Sequence, residues 1–136
     1  MIVNSKESAK KCYCEILEEF SNHKFIRVNI AKDTRTLKQN AWTFEAYNML
    51  SKQGDMTVSE YRCYCKYHFG LAIRAAKEPE FAELLRPMLQ ALTYEDKIKS
   101  MMFVDVTSTF NVKQMTQYIE EMIIHFNDKM LPSKEF

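Results

Sequence analysis

The strongest constraint on the fold is a stripe of apolar residues near the carboxyl end of the chain. Five side chains recur at alternating intervals of three and four residues: Val112, Met115, Ile119, Met122 and Phe126. This spacing places them on one face of an α-helix. Asn111 directly precedes the stripe and Gln114 follows three residues later, a pair typical of a helix start. The stripe is either a core face or the seam of a dimer, and Ile123 and Ile124 widen it toward a core face.

The composition favours one compact, helix-rich domain. Of 136 residues, 46% are hydrophobic, and only two are Gly and three are Pro, which excludes a disordered or fibrous chain. We predict one domain over residues 1–130 and a short polar tail over residues 131–136. No apolar run approaches the roughly 20 residues of a membrane span, and the first residues do not form a signal peptide. We therefore expect a cytoplasmic protein that does not enter membranes.

The rest of the chain is predicted to form short helices and short strands. Ser5, Thr36, Thr57 and Thr93 have side chains that cap helices, and Pro79 suits a first helical turn. The helix after Thr57 is expected to stop at Gly70, and Pro87 to kink or end the helix that starts at Pro79. Strands are expected at residues 2–3, 24–30, 71–75 and 103–107. The predicted fold class is α+β: a helix-rich single domain with a small β-sheet and a long C-terminal amphipathic helix.

Residues 35–44 contain the densest group of side chains suited to binding a nucleic acid. The relevant residues are Arg35, Lys38, Gln39, Asn40, Trp42 and Phe44. They lie at the predicted start of a helix, where unpaired backbone N–H groups favour an anion. The two cations add formal charge, the two amides can donate to a phosphate or a base edge, and an aromatic ring can stack on a base. The segment is therefore a candidate nucleic-acid contact.

A purely structural interpretation of the same segment is also consistent with its residues. Polar helix starts are common, so Thr36 can serve only as a cap while Trp42 and Phe44 pack in the core. The two rings are two residues apart, however, and cannot share one helix face. One of them is therefore expected to be exposed or at an interface.

Positive charge is concentrated in two stretches, although the net charge of the chain is only +1. Residues 24–40 contain one acid, Asp33, and five cations: Lys24, Arg27, Lys32, Arg35 and Lys38. Residues 61–77 contain no acid and four cations: Arg62, Lys66, Arg74 and Lys77. Arg62 and Lys66 are four residues apart and are expected on one helix face. If folding joins the two stretches, they form one positive surface; the alternative is chance clustering of solvated charges.

Two short motifs resemble the phage NinB family of lambda-type recombination proteins. The first is Arg-Thr-Leu-Lys-Gln-Asn at residues 35–40, which follows a predicted strand and leads into an aromatic-bearing helix. The second is Val-Thr-Ser-Thr-Phe-Asn-Val at residues 106–112, ahead of the final amphipathic helix. The order of elements also agrees with the family from Met1 to about Lys129. The middle of the chain departs from it.

The resemblance implies a homodimeric recombination mediator without enzymatic activity. Such a protein binds single-stranded DNA, engages the host single-strand-binding protein, and helps a recombinase reach coated DNA in the host cytoplasm. Arg35, Gln39 and Asn40 match the family motif, and Phe44 stands where an aromatic is expected. With the basic stretches included, the residues predicted to contact DNA are Arg27, Lys32, Arg35, Lys38, Gln39, Asn40, Phe44, Arg62, Lys66 and Arg74.

Metal binding and catalysis receive little support from the residues. Cys12 and Cys14, and likewise Cys63 and Cys65, are two apart within predicted helices, where they point away from each other. Reduced, mostly buried thiols are the better explanation than zinc, and no cofactor is predicted. A set of carboxylates suits helix faces better than a Mg²⁺ site: Glu78, Glu80, Glu83, Glu95 and Asp96.

Two alternative functions stay open. The first is a protein–protein adaptor that uses the final helix and a Met-rich surface, since the chain has nine Met. The second is a metal-dependent nuclease that acts on recombination intermediates.

Overall fold

The computed structural model describes residues 3–23, 25–26 and 36–134. The chain divides into two compact units, Met1–Lys32 and Asp33–Phe136. Within the first, helix α1 spans Lys6–Asn22 and has no buried residue. It begins as expected at Ser5, whose hydroxyl accepts from the backbone N–H of Ser8.

The described part of the second unit consists of helices and connecting turns. Helix α2 spans Leu37–Gln53, α3 Val58–Cys65, a π-helical turn Lys66–Gly70, α4 Leu71–Lys77, α5 Pro79–Gln90, α6 Tyr94–Ser100 and α7 Val112–His125. Helices account for 71% of the described residues, and these residues contain no strand. The predicted α+β class with a small sheet is therefore wrong for the part of the chain that the structure describes.

Each predicted strand has a separate explanation. Residues 71–75 lie in α4, where three alanines favour a helix that continues directly from the π-helical turn. Residues 103–107 form an irregular connection with a turn and bends, and the carbonyls of Val104 and Asp105 accept hydrogen bonds from side chains instead of a neighbouring strand. Most of the predicted strands at 2–3 and 24–30 lies outside the described residues, and Val3, Phe25 and Ile26 are not in a strand.

The predicted starts of the helices are confirmed. The side chains of Thr36, Thr57, Thr93 and Asn111 each accept from a backbone N–H three residues later. Each of these contacts satisfies one of the N–H groups that a first turn leaves without an intrahelical partner. The helix after Pro79 runs through Pro87 and continues to Gln90, so Pro87 does not end it.

The prediction that the helix stops at Gly70 is wrong. Its φ of −65° and ψ of −43° are helical, and α3, the π-helical turn and α4 form one uninterrupted helical segment. A Cβ atom at Gly70 would lie 2.8 Å from Cγ1 of Val106, whose side chain is fully buried. The absence of a side chain at Gly70 therefore lets the α6–α7 connection, residues 101–111, approach this helix closely.

The core of the second unit lies between α2, the α3–α4 segment and α7. Its largest fully buried apolar side chains are Tyr118, Phe110, Leu50, Met101, Met115, Ile119 and Met122. Met115, Ile119 and Met122 of the α7 stripe are at most 2% exposed. The stripe is thus a core face within the chain, as its width predicted. Tyr47 of α2 and Tyr118 of α7 pair their buried hydroxyls at 2.7 Å.

A buried ammonium group joins the π-helical turn to the α6–α7 connection. Lys66 is 5% exposed, and its Nζ donates to the carbonyls of Met101 and Val104, the latter at 2.6 Å. Burial, and then the charge of Arg62, lower the pKa of Lys66. The two carbonyls replace the water that an exposed ammonium would bind. This contact holds the connection over Gly70, where Val106 packs.

Residues 130–134 contact the rest of the second unit. The indole N–H of Trp42 donates to the carbonyl of Pro132 at 3.1 Å. The side chain of Gln53 pairs with both backbone groups of Met130 at 2.8 Å. No described helix is both long enough and apolar enough to cross a membrane.

Replacing Lys66 by Met should destabilise the second unit. The change removes the ammonium group and leaves the carbonyls of Met101 and Val104 without their donor, so we expect a loss of about 2 kcal/mol in the free energy of unfolding. Urea denaturation followed by circular dichroism measures this loss. Lys77→Met, on the exposed end of α4, is the control and should change stability little. Equal stability of the two variants would contradict a structural role for the Lys66 ammonium.

Candidate nucleic-acid interface

The first turn of α2 presents one exposed cation from the predicted DNA-binding segment. Lys38 is exposed, and no described carboxylate lies within ion-pair distance of it. The side chain of Thr36 accepts from the backbone N–H of Gln39, so one of the N–H groups at this helix start is already bonded. Arg35, like Arg27 and Lys32, lies outside the described residues.

Gln39 faces the protein interior and not the solvent. It is 1% exposed, and its Oε1 accepts from the backbone N–H of Thr36 at 3.1 Å. Its Nε2 donates to the carbonyl of Val112 at 3.3 Å and to the hydroxyl of Thr116 at 3.0 Å, both in α7. These contacts join α2 to α7 and leave no accessible amide group for a nucleic acid. We therefore assign Gln39 a structural role.

An exposed aromatic ring and an exposed guanidinium meet between α2 and α3. Phe44 is 44% exposed, and Cζ of Arg62 lies 5.7 Å from the centroid of its ring. Tyr47 supports the ring edge-on, with centroids 6.2 Å apart. Trp42, two residues earlier, is 4% exposed. The prediction that only one of these two rings can pack is confirmed, and Phe44 is the exposed one.

The other described candidates are occupied within the chain. Lys66 is buried, as described above, so it does not share a surface with Arg62. Arg74 pairs with Glu78 at 2.8 Å, donates to the carbonyl of Asp105 and lies 3.7 Å from the centroid of Phe81. Asn40 is half-buried. Of the ten predicted contacts, Phe44 and Arg62 are therefore brought together, and Lys38 is exposed on the same helix as Phe44.

The pairing of Phe44 with Arg62 was missed by the sequence interpretation. The two residues are 18 positions apart and were singled out for separate reasons. Helical spacing predicts neighbours within one helix, but not contacts between two helices. Their contact depends on how α2 packs against α3.

The four cysteines are free thiols, and two of them are buried. Cys63 and Cys65 are buried, Cys12 is half-buried and Cys14 is exposed. Burial raises the pKa of the Cys63 and Cys65 thiols, which disfavours the thiolate needed for metal binding or nucleophilic attack. Within residues 3–23, 25–26 and 36–134, no group of three His, Cys, Asp or Glu side chains is arranged to hold a metal ion.

A chain of histidine and tyrosine rings lies across the α3–α4 segment. His125 Nε2 is 3.0 Å from the hydroxyl of Tyr64, and His68 Nε2 is 2.7 Å from that of Tyr94. The rings of Tyr64 and His68 are in contact, with centroids 4.2 Å apart. Burial, and then the nearby His125, lower the pKa of His68. These contacts connect α6 and α7 through the segment between them.

Comparison with protein-family models, with curated proteins and with solved structures finds no match to this chain.

Substituting Gln39 by Ala should reduce stability without a separate effect on DNA binding. The change removes the reciprocal cap at Thr36 and the contacts with α7, so we expect a loss of about 1–2 kcal/mol in the free energy of unfolding. Thermal and urea denaturation measure it. Lys38→Ala, on the adjacent exposed position, should stay within about 0.5 kcal/mol of the wild type. If the Gln39→Ala protein is as stable as the wild type but binds DNA much more weakly, the purely structural role of Gln39 is contradicted.

Acidification below pH 6.5 should destabilise the fold through His68. Because the folded-state pKa of His68 is lowered, the unfolded chain binds this proton first as the pH falls. The His68 contribution is therefore fully present above the unfolded pKa of about 6.5 and is lost as the pH falls toward the folded pKa. Urea denaturation between neutral and acidic pH measures it as the difference between wild type and His68→Gln. If the difference in the free energy of unfolding between wild type and His68→Gln does not change with pH, the lowered pKa of His68 is contradicted.

Proposed function

We propose that this chain binds single-stranded DNA and serves as a recombination mediator of the phage NinB type. The observation that carries the proposal is the exposed Phe44 ring paired with the Arg62 guanidinium. An aromatic face and a planar cation at one exposed position suit an unpaired base and its phosphate. The motif at residues 35–40, which resembles the family, leads into the same helix.

The proposed interface binds DNA through two kinds of contact. The exposed face of Phe44 stacks on a base, or the base stacks on the guanidinium that already lies over the ring. Arg62 and Lys38, which form no ion pair with a described carboxylate, contact phosphates. Neither contact reads a base edge, so binding should depend little on sequence and strongly on salt. A duplex offers no unstacked base to Phe44, which favours single strands.

The mediator role follows from the resemblance and involves no bond making or breaking. The protein competes for single strands that are coated by the host single-strand-binding protein and gives a recombinase access to them. We expect a homodimer, and sedimentation equilibrium measures its mass. Its surface is not the α7 stripe, since Met115, Ile119 and Met122 are buried within one chain.

Phe44→Leu and Arg62→Glu should each weaken binding to single-stranded DNA. The leucine keeps an apolar side chain against Tyr47 but removes the stacking surface, so we expect a loss of about tenfold in affinity. The glutamate replaces a cation with an anion beside the phosphates, so we expect a larger loss and a shallower salt dependence. Fluorescence anisotropy with labelled oligothymidine and a labelled duplex, over a salt series, measures both effects.

Two matched controls show whether the effects are specific to this interface. Phe103→Leu changes a ring that is 89% exposed, and Arg86→Glu reverses an exposed arginine on α5. Both should bind oligothymidine like the wild type. If the controls weaken binding as much as the interface variants, or if the wild type binds no DNA at low salt, the proposal fails.

The adaptor function remains a second candidate because of one observation. A methionine-containing groove lies between α3 and α6, away from the Phe44–Arg62 pair. Thioether side chains adapt to varied apolar partners. An adaptor would retain partner binding when Phe44 and Arg62 are changed.

A further inference from the structure

We propose that the groove between α3 and α6 binds the apolar face of a basic amphipathic helix from a partner protein. This inference is independent of the proposed DNA-binding function. The groove has a volume of about 740 Å³ and is open to solvent. Its occupant is inferred from the chemistry of the walls, the charge at the mouth and the helices that the chain itself exposes.

The walls of the groove are apolar and adaptable. Met56 and Met102 contribute thioethers, Ile98 contributes a branched aliphatic side chain, and Tyr64 and Tyr94 contribute aromatic faces. Met102 is 62% exposed and Tyr94 is 54% exposed, so both offer apolar surface to a partner. Methionine is flexible and polarizable, so it packs against varied apolar side chains.

The mouth of the groove is acidic. Glu60 of α3 and Glu95 of α6 both line it and are exposed, and neither forms an ion pair with a described cation. Lys99 is the single cation among the lining residues. An excess of carboxylate at an apolar groove attracts a partner with cations beside its apolar residues. The same charge disfavours nucleic acid, whose phosphates are repelled.

Helix α3 separates this acidic groove from the proposed DNA-binding surface. Arg62 points toward Phe44 on α2, whereas Glu60 and Cys63 line the groove beside α6. The two flanks of one short helix therefore differ in charge. A basic peptide in the groove and a DNA strand at Phe44 use different surfaces of the second unit.

A helix fits this groove better than an extended peptide does. An extended peptide usually adds to a sheet edge, and residues 36–134 contain no strand. Two flanking helices with apolar residues between them are the usual receptor for a helix whose apolar residues recur every three or four positions.

Two described helices of a second copy, α1 and α5, have the wrong charge for this groove. Both are amphipathic and expose apolar residues, among them Leu17 of α1 and Leu84 of α5. In each of them the acids outnumber the bases by one. The apolar stripe of α7 is buried. Carboxylates in the groove disfavour acidic helices, so charge selects a basic helix as the occupant.

The test uses the full-length protein and two labelled helical peptides with the same leucine stripe. One peptide has lysine on its polar face and the other has glutamate. We expect the leucine–lysine peptide to bind at least tenfold more tightly than the leucine–glutamate peptide, measured by fluorescence anisotropy. Equal binding, or tighter binding of the glutamate peptide, would overturn the proposal.

Two variants locate the binding to the groove. Glu60→Gln/Glu95→Gln removes both carboxylates while Gln keeps the acceptor that Glu60 offers to the Thr57 N–H, so the helix start is retained. We expect it to weaken binding of the lysine peptide about fivefold, since each exposed ion pair contributes modestly. Met102→Gln makes one exposed wall residue polar and should weaken binding of this peptide without unfolding the protein. Circular dichroism checks the fold of each variant.

Matched controls complete the experiment. Glu80→Gln/Glu83→Gln removes two exposed carboxylates from α5 and should leave peptide affinity unchanged, as should Phe44→Leu. Unchanged affinity in folded Glu60→Gln/Glu95→Gln or Met102→Gln protein would overturn the proposal. Self-association that Met102→Gln abolishes, without peptide binding by the wild type, would assign the groove to a second copy and also overturn it.

Discussion

The buried ammonium of Lys66 is the contact on which the arrangement of the second unit depends. Its Nζ donates to the carbonyls of Met101 and Val104 in the α6–α7 connection. These hydrogen bonds fix the connection against the π-helical turn, where Val106 packs on Gly70. The connection in turn leads into Phe110 and α7, both central to the core. A charged group in this position requires carbonyl partners, because burial without them is strongly unfavourable. The same hydrogen bonds keep α6 beside α3, and α6 is one wall of the acidic groove.

Helix α3 divides the surface of the second unit by charge. One flank holds Arg62 over Phe44, and the other holds Glu60 at the mouth of the groove. The two proposed ligands, a DNA strand and a basic peptide, therefore use different sides of a helix of only eight residues. The net charge of the whole chain, close to zero, does not reveal this division, because the opposite charges cancel in the sum.

Several polar residues that suggested DNA binding instead hold the fold together. Gln39 bonds α2 to α7, Lys66 bonds the α3–α4 segment to the α6–α7 connection, and Arg74 bonds α4 to that connection through Asp105. Phe44 and Arg62 remain at the surface. A cation or an amide that contacts DNA cannot be told from one that stabilises the fold by its position in the sequence. The sequence pattern shows that a residue is polar, but not whether its side chain is buried. The candidate site was therefore predicted only in part.

The sequence by itself determined where the helices begin and which face of α7 is apolar. Caps such as Thr57 with Glu60 and Asn111 with Gln114 depend on residues three positions apart, and the α7 stripe depends on helical periodicity. The predicted strands at 71–75 and 103–107 failed because short apolar runs suit a strand, a helix or a packed turn equally well. Only the tertiary structure decided between these, and only it decided that Gln39 and Lys66 are internal and that Arg62 meets Phe44. The physical reason is that burial and contacts between helices are set by segments far apart in the chain, which local spacing does not encode.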